Sequence, residues 1–159
     1  MRTRSIILVI LGLLLTLSGM PAVVAQSSED VAVVVNEKNS VNSMSHEQLR
    51  KVFAGEKREW PGGVPVKVIV RAPGSVERTA LLRLLGMSES EYKQYWTAQV
   101  FRGEAQSEPP ALYSNGMQKE ALAVFPGAIA LVSMRDVRAG MKVVKVDGYV
   151  PGDPGYPLK

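Results

Sequence analysis

The sequence predicts an α/β fold with three layers, in which a mostly parallel sheet of about four to five strands is flanked by helices. Two observations lead to this class. Continuous apolar runs, which are typical of strands buried on both faces, recur at 31–35, 64–70 and 127–134. Segments with apolar residues at helical spacing stand between these runs, and strands that alternate with helices favour a parallel sheet.

The first half of the predicted domain alternates strand and helix. Strand 31–35 is followed by a turn and by a helix over 45–55, which opens with a Ser-Xaa-Xaa-Gln capping box and ends at a glycine. A second buried strand, 64–70, places Arg71 at its carboxyl end. The next helix, 75–86, begins with a serine cap and again ends at a glycine.

The second half adds two helices and two strands. The helices are predicted at 88–101 and 117–125, and the strands at 127–134 and 142–148. Alternating lysines in the last strand indicate a sheet edge. The polar segment 102–116 and the tail after the last strand, which is rich in proline and glycine, are predicted to be irregular.

The N-terminus has the features of a secretory signal. Arg2 and Arg4 precede a short apolar run and then the small residues of a cleavage site. We therefore expect residues 1–25 to be a cleavable signal peptide, residues 26–159 to form one domain, and the mature protein to be periplasmic or secreted. The apolar run 6–17 is short for a membrane span, and an uncleaved anchor is the alternative.

Composition argues against several classes of function. The chain has no cysteine and one histidine, so it offers no disulfide framework, no zinc pattern and no cysteine nucleophile. His46 lies in the first turn of an exposed helix, and nothing in the spacing brings it to Ser75 as a catalytic base. Arg2 and Arg4 belong to the predicted signal, and the other cations are mixed with acids. We therefore expect no enzyme activity, no cofactor or metal, and no binding of nucleic acid.

The stretch RAPGSVERTALLRLLG, residues 71–86, carries the candidate site. A strand that ends in arginine, followed by a helix that opens with Gly-Ser, offers an oxyanion a guanidinium, free backbone N–H groups and the positive end of a helix dipole. In such sheets ligands collect at the carboxyl ends of the strands. The predicted oxyanion site consists of Arg71, Gly74, Ser75, Val76, Glu77 and Arg78.

Glu77 gives the same helix start a second interpretation. Its carboxylate favours the helix dipole, but it would repel a phosphate over the same short distance. Ordinary helix capping also explains Gly74 and Ser75. Arg78 either neutralises Glu77 in a local pair or joins Arg71 around a ligand, and the residues alone leave both alternatives open.

Five segments carry a resemblance to a known family. In chain order they are VAVVVNEKNSVNSMSHEQLRKVFAGEKREWPGG, VIVRAPGSVERTALLRLLG, FPGAIALVSM, KVVKVDG and YPL. Together they resemble the second lobe of the substrate-binding proteins of phosphate ABC transporters, and especially the short single-lobe secreted proteins grouped with them. The resemblance implies one lobe of a type 2 periplasmic binding protein, without the first lobe, with phosphate or a similar oxyanion as ligand and an ABC permease as partner.

The resemblance also assigns roles to the helix start. In that family the start reads Arg, two residues, then Gly-Ser-Gly-Thr, and the Arg, the Ser and the two residues after it contact phosphate. Arg71 and the Gly-Ser pair ending at Ser75 match this pattern. Val76 replaces the second Gly, Glu77 replaces the Thr, and Pro73 stands where an Asp commonly holds the Arg. These departures favour the alternative function, a ligand-free lobe that acts as an interaction or assembly module in the cell envelope. A homodimer that closes the cleft is a further expectation.

Overall fold

A computed structural model describes residues 30–159 of the chain. The predicted signal peptide, residues 1–25, lies outside the described residues. Within 30–159, the helices are too short or too polar to cross a membrane. The predicted three-layer α/β class is confirmed, because a five-stranded sheet lies between helices that pack on both of its faces.

Seven strands and four α-helices make up the described part of the chain. The strands are β1 (Val31–Asn36), β2 (Ser43–Met44), β3 (Lys67–Arg71), β4 (Ala111–Leu112), β5 (Ala128–Ser133), β6 (Met141–Val143) and β7 (Lys145–Val146). The helices are α1 (His46–Phe53), α2 (Val76–Leu85), α3 (Glu89–Phe101) and α4 (Asn115–Val124), and a short 3₁₀ turn spans Met134–Asp136.

The central sheet has the strand order β4-β3-β5-β1-β6. β3 pairs in parallel with β4 and β5, whereas β1 pairs antiparallel with both β5 and β6. Four strands therefore point in one direction and only β1 runs against them, so the predicted mostly parallel sheet is confirmed with one reversed strand, which lies between β5 and the edge strand β6. β2 and β7 form a separate parallel pair.

Each face of the sheet has its own apolar core, because successive side chains of a strand point to opposite sides. In β1, Val31, Val33 and Val35 pack in the core that α1, α2 and α3 cover. Ala32 and Val34 pack in the core that contains Leu122 of α4. A strand with apolar residues on both faces suits this central position, since burying one valine side chain contributes about 1.5–3 kcal/mol.

The predicted helix caps are present. The Ser45 side chain accepts a hydrogen bond from the Gln48 N–H and the Gln48 side chain accepts one from the Ser45 N–H, which forms the capping box of α1. Helix α2 ends at Gly86, whose φ of 68° is the left-handed conformation that glycine adopts without steric cost.

Three predictions about irregular segments and strand bounds were wrong in detail. Segment 102–116 contains β4, which is only two residues long, and the first two residues of α4. β3 begins at Lys67 because residues 58–66 fold back on themselves, with the Val66 N–H donating to the Arg58 carbonyl. The predicted strand 142–148 is divided between β6, at the sheet edge, and β7, which pairs with β2.

The C-terminal tail lacks regular structure, as predicted, but it is anchored to β1. The Tyr156 hydroxyl donates to the Val31 carbonyl at 2.8 Å, and the Leu158 carbonyl accepts from the Val31 N–H at 3.1 Å. Tyr156 and Leu158 are buried. Proline and glycine prevent regular strand pairing in the tail, but its apolar side chains still pack in the core.

Candidate functional site

The candidate site lies at the carboxyl edge of the sheet. Arg71 is the last residue of β3, and β4 on one side and β5 on the other end at the same edge because all three strands are parallel. Helix α2 starts five residues after Arg71 and packs against β3 and β5. The fold therefore brings the start of a helix to the point where open α/β sheets bind ligands.

Ser75 caps helix α2 through its side chain. Its Oγ accepts a hydrogen bond from the Arg78 N–H at 3.1 Å and donates one to the Ala72 carbonyl at 3.0 Å. Gly74 has a φ of 87°, so the turn into the helix uses a conformation that glycine favours. The N–H groups of Val76 and Glu77 belong to the first helical turn, where no intrahelical acceptor exists. These two N–H groups are the donors that the helix start offers to an anion.

Arg71 is held from a neighbouring helix. Its Nη1 donates to Oδ1 of Asn115 at 2.6 Å, and Nδ2 of Asn115 donates to Oδ2 of Asp136 at 2.5 Å. Nε of Arg71 is buried and has no hydrogen-bond partner within the described residues. The guanidinium is therefore fixed at one end and keeps an unused buried donor at the other.

Sequence reasoning missed Asn115 and Asp136. Asn115 is the first residue of α4 and follows β4 closely, so it reaches the same edge of the sheet as Arg71. Because β4 was predicted to be part of a loop, nothing placed Asn115 there. The signal that points to it is the Ser114 cap, whose Oγ accepts from the Met117 N–H and marks a helix start just after a strand.

Glu77 is buried rather than exposed in the first turn. The residue is 5% exposed, and its Oε1 accepts a hydrogen bond from the Ser133 N–H at 3.3 Å. Glu77 and Arg71 line the same internal gap between α2 and the sheet, which has no room for a water molecule. A buried carboxylate requires hydrogen-bond donors, and the Ser133 N–H supplies one.

Arg78 is directed away from the other predicted site residues. It is 4% exposed, and it forms a bidentate pair with Glu89, at 2.9 Å from Nε and 2.7 Å from Nη2. Its guanidinium carbon lies 4.0 Å from the centroid of the Tyr92 ring. The pair with Arg78 lowers the pKa of Glu89, and burial raises the pKa of Tyr92 to about 12.

Of the two alternatives that the residues leave open for Arg78, the local pair with Glu77 is therefore wrong. The two side chains leave α2 in different directions, one to the end of β5 and the other to the start of α3. Arg78 pairs with Glu89. Of the two arginines in the predicted site, Arg71 is therefore the one that lines the same gap as Glu77. Within residues 30–159, no group of three or more His, Cys, Asp and Glu side chains is placed to hold a metal ion.

A mixed sheet with a single reversed strand, covered by helices and carrying a helix start at its carboxyl edge, defines one lobe of a periplasmic-binding-protein fold. The chain belongs to the family described as the PBP superfamily domain, whose model matches residues 28–156.

Three solved structures show the same fold. An ABC-type phosphate transport receptor from Vibrio cholerae matches with a TM-score of 0.60 and 22% identity, over 77% of this chain and 48% of that one. A putative phosphate ABC transporter substrate-binding protein with bound phosphate, from Clostridium perfringens, matches with a TM-score of 0.60 and 21% identity, over 75% of this chain and 45% of that one. PstS from Borrelia burgdorferi matches with a TM-score of 0.58 and 18% identity, over 77% and 49%. The chain thus spans about half the length of these proteins, and the likeness at this identity is one of fold.

Proposed function

We propose that this chain is a periplasmic or secreted solute-binding lobe that binds a small oxyanion, phosphate by preference, in an ABC uptake or sensing system. The observation that carries the proposal is Arg71, a partly buried arginine at the carboxyl edge of the sheet, five residues before the start of helix α2. Two of the similar structures, a phosphate transport receptor and a protein with bound phosphate, support this choice of ligand.

The proposed site combines a guanidinium with backbone donors. An anion in front of the helix start would receive the N–H groups of Val76 and Glu77 and the guanidinium of Arg71, and it would interact favourably with the helix dipole. Gly74 carries no side chain to obstruct the approach. The Ser75 hydroxyl already bonds to backbone atoms and has no base beside it in these contacts, so we propose binding without catalysis.

Calorimetric titration of the purified protein tests this proposal. Phosphate is expected to give saturable heat, and Arg71→Ala is expected to abolish it, because the variant removes the charged donor. Lys93→Ala, which removes one positive charge from the exposed surface of α3, is the matched control and should bind like the wild type. Sulfate, titrated in the same way, measures selectivity. Heat that persists in Arg71→Ala would contradict the proposed site.

A second candidate function is a ligand-free lobe that serves as an interaction or assembly module. The buried carboxylate of Glu77 favours it, because a negative charge already lies behind the start of α2 and beside Arg71. In this case the wild-type protein gives no heat with phosphate or sulfate at millimolar concentrations. Saturable phosphate binding by the wild type would rule this candidate out.

Both candidates include a protein partner at the carboxyl edge. Tyr113 after β4, Met117 in the first turn of α4 and Met134 after β5 are 79%, 44% and 40% exposed at this edge. Tyrosine and methionine are enriched in protein interfaces. A second copy of the chain, an ABC permease and another envelope protein are the proposed occupants. Sedimentation velocity distinguishes the first: a dimer that Tyr113→Ser dissociates supports self-association, and a monomer at high concentration excludes it.

A further inference from the structure

A chain of side-chain hydrogen bonds crosses the carboxyl edge of the sheet. Arg71 ends β3, Asn115 begins α4 just after β4, and Asp136 ends the 3₁₀ turn that follows β5. Because β4, β3 and β5 are adjacent and parallel, their carboxyl ends bring these three residues together. Arg71 donates to Asn115, and Asn115 donates to Asp136. The chain of bonds therefore connects the guanidinium of the proposed anion site to a carboxylate through a neutral amide.

The chemistry of the two ends fixes the orientation of the amide. A guanidinium has only donors, and an ionised carboxylate has only acceptors. A side chain between them must accept at one end and donate at the other, as Oδ1 and Nδ2 of Asn115 do at 2.6 Å and 2.5 Å. A flipped amide would place donor against donor and acceptor against acceptor. Asp136 therefore determines which end of the Asn115 amide faces Arg71.

The residues that follow Arg71 in the chain cannot orient its side chain. Residues 72–74 are alanine, proline and glycine, and none of them has a side-chain acceptor. The acceptor comes instead from α4, whose start is held by the bond from the Met117 N–H to Oγ of Ser114. An arginine side chain loses rotamer freedom when a ligand orders it. An acceptor that is itself held in place removes part of this cost before a ligand binds.

Asn115 also separates the charge of Arg71 from that of Asp136. Within residues 30–159, Arg71 forms no ion pair, and its guanidinium bonds to the neutral amide. The carboxylate of Asp136 lies near two exposed arginines, with Nε of Arg135 at 3.9 Å and Nη2 of Arg138 at 3.8 Å. A carboxylate bonded directly to Arg71 would offset its charge and take the donors that suit an oxyanion. The amide thus orients the arginine without neutralising it.

We propose that Asn115 and Asp136 are positioning residues of the anion site: Asp136 orients Asn115, and Asn115 holds the Arg71 guanidinium for the anion without neutralising it. This inference rests on the proposed function. Neither residue has to touch the ligand, because each acts through the next one in the chain of bonds. Two elements that the start of α2 does not include, α4 and the turn after β5, therefore contribute to the affinity of the site.

Two variants of Asp136 separate the hydrogen bond from the charge. Asp136→Asn and Asp136→Ala each remove one negative charge, but only Asp136→Asn keeps an oxygen that accepts from Asn115. The side chain is partly exposed, so neither variant disturbs the core. Charge alone predicts that both variants bind phosphate equally well and more tightly than the wild type does. Positioning predicts that Asp136→Ala binds phosphate at least about fivefold more weakly than Asp136→Asn in calorimetric titrations.

Asn115→Asp tests the separation of charge. The variant keeps the size of the side chain and an oxygen for Nη1 of Arg71, but it gives the arginine a direct carboxylate. Phosphate affinity should fall by at least about tenfold, because the carboxylate competes with the ligand for the guanidinium. Gln94→Glu makes the same change from amide to carboxylate at an exposed position of α3 and should bind like the wild type. Circular dichroism shows whether each variant is folded.

NMR of the guanidinium reports the positioning without any ligand. In protein labelled with ¹⁵N-arginine, the signals of Arg71 are assigned by their absence from Arg71→Ala. A fixed acceptor slows rotation of the guanidinium and separates its two Nη signals. We expect separate signals in the wild type and in Asp136→Asn, and averaged signals in Asp136→Ala. This measurement holds even if the wild type does not bind phosphate, a result that would contradict the proposed function alone.

The outcome that overturns the positioning role depends on whether the wild type binds phosphate. If it binds, equal affinities of folded Asp136→Ala and Asp136→Asn, or an unchanged affinity of folded Asn115→Asp, overturn the proposal. If it does not bind, identical Arg71 signals in the two Asp136 variants overturn it.

Discussion

Replacement of Glu77 by glutamine tests whether the start of α2 carries its own anion. Glutamine keeps the size of the side chain and an oxygen that accepts from the Ser133 N–H, but it removes the negative charge beside Arg71. If this charge opposes an incoming anion, Glu77→Gln binds phosphate more tightly than the wild type does. Glu77→Gln therefore changes the charge and keeps the shape of the side chain. Glu77→Thr, which introduces the residue found in the resembling family, changes both.

The structure sets the expected magnitude. Glu77 is 5% exposed, so its charge acts mainly through protein, for which an effective dielectric constant of about 20 is appropriate. Across a separation of roughly 6 Å, about one helical turn, two unit charges repel by about 3 kcal/mol. This energy corresponds to a change of about 100-fold in Kd. Phosphate affinity should therefore rise by about two orders of magnitude.

The assay is calorimetric titration of wild type and Glu77→Gln in the same buffer, with circular dichroism to show that both are folded. The double variant Arg71→Ala/Glu77→Gln is the control, and it should lose the gain in affinity. Glutamine also gives the Ser133 N–H an uncharged and weaker acceptor, so a small decrease in Tm is expected. A folded Glu77→Gln protein with unchanged phosphate affinity would refute the repulsion argument.

Three further predictions concern stability. The pair with buried Arg78 lowers the pKa of Glu89 in the folded state. The pair therefore stabilises the fold at every pH above the pKa of an unfolded glutamate, which is about 4.3. This stabilisation is lost as the pH falls through the lower pKa of the folded state. In thermal melts the Tm difference between wild type and Glu89→Gln should thus be present at pH 7 and shrink as the pH is lowered below about 4.3. Gly127→Ala should lower the free energy of unfolding by about 3 kcal/mol or more in urea titrations, because its Cβ would lie 1.8 Å from the Pro65 oxygen. A variant as stable as the wild type would contradict the packing described. Tyr156→Phe should lower the free energy of unfolding by about 1–2 kcal/mol in the same assay, since the tail loses its buried hydrogen bond to β1. An unchanged free energy of unfolding would show that this bond does not anchor the tail.

The elements that the sequence predicts well are those defined by neighbouring residues. Strands β1 and β5 are continuous apolar runs, and the caps of α1 and α2 depend on residues within one turn. Strand β4 has two residues next to a Pro-Pro pair, so no periodicity reveals it. The direction of β1 was also beyond prediction, since the apolar pattern of a strand is the same in both directions.

The candidate site was predicted in position but not in its contacts. Arg71 and the capped helix start were found because they are adjacent in the chain. The partners that decide the electrostatics are distant: Ser133 for Glu77, Asn115 for Arg71, and Glu89, in the next helix, for Arg78. The local charge pattern left a pair between neighbours and a shared ligand as alternatives, whereas packing directs Glu77 to the end of β5 and Arg78 to the start of α3.

The reversed strand β1, which lies between β5 and β6, also determines the order in which the fold can assemble. During synthesis β1 emerges before the other strands, yet both of its neighbours, β5 and β6, come from the last third of the chain. Until residue 143 is available, the sequence VAVVV has an unpaired edge, which makes it a template for pairing with other chains. The sheet therefore closes late and through contacts between distant residues, which slows folding. A fragment that ends before β5 is expected to aggregate rather than to form a smaller version of the lobe.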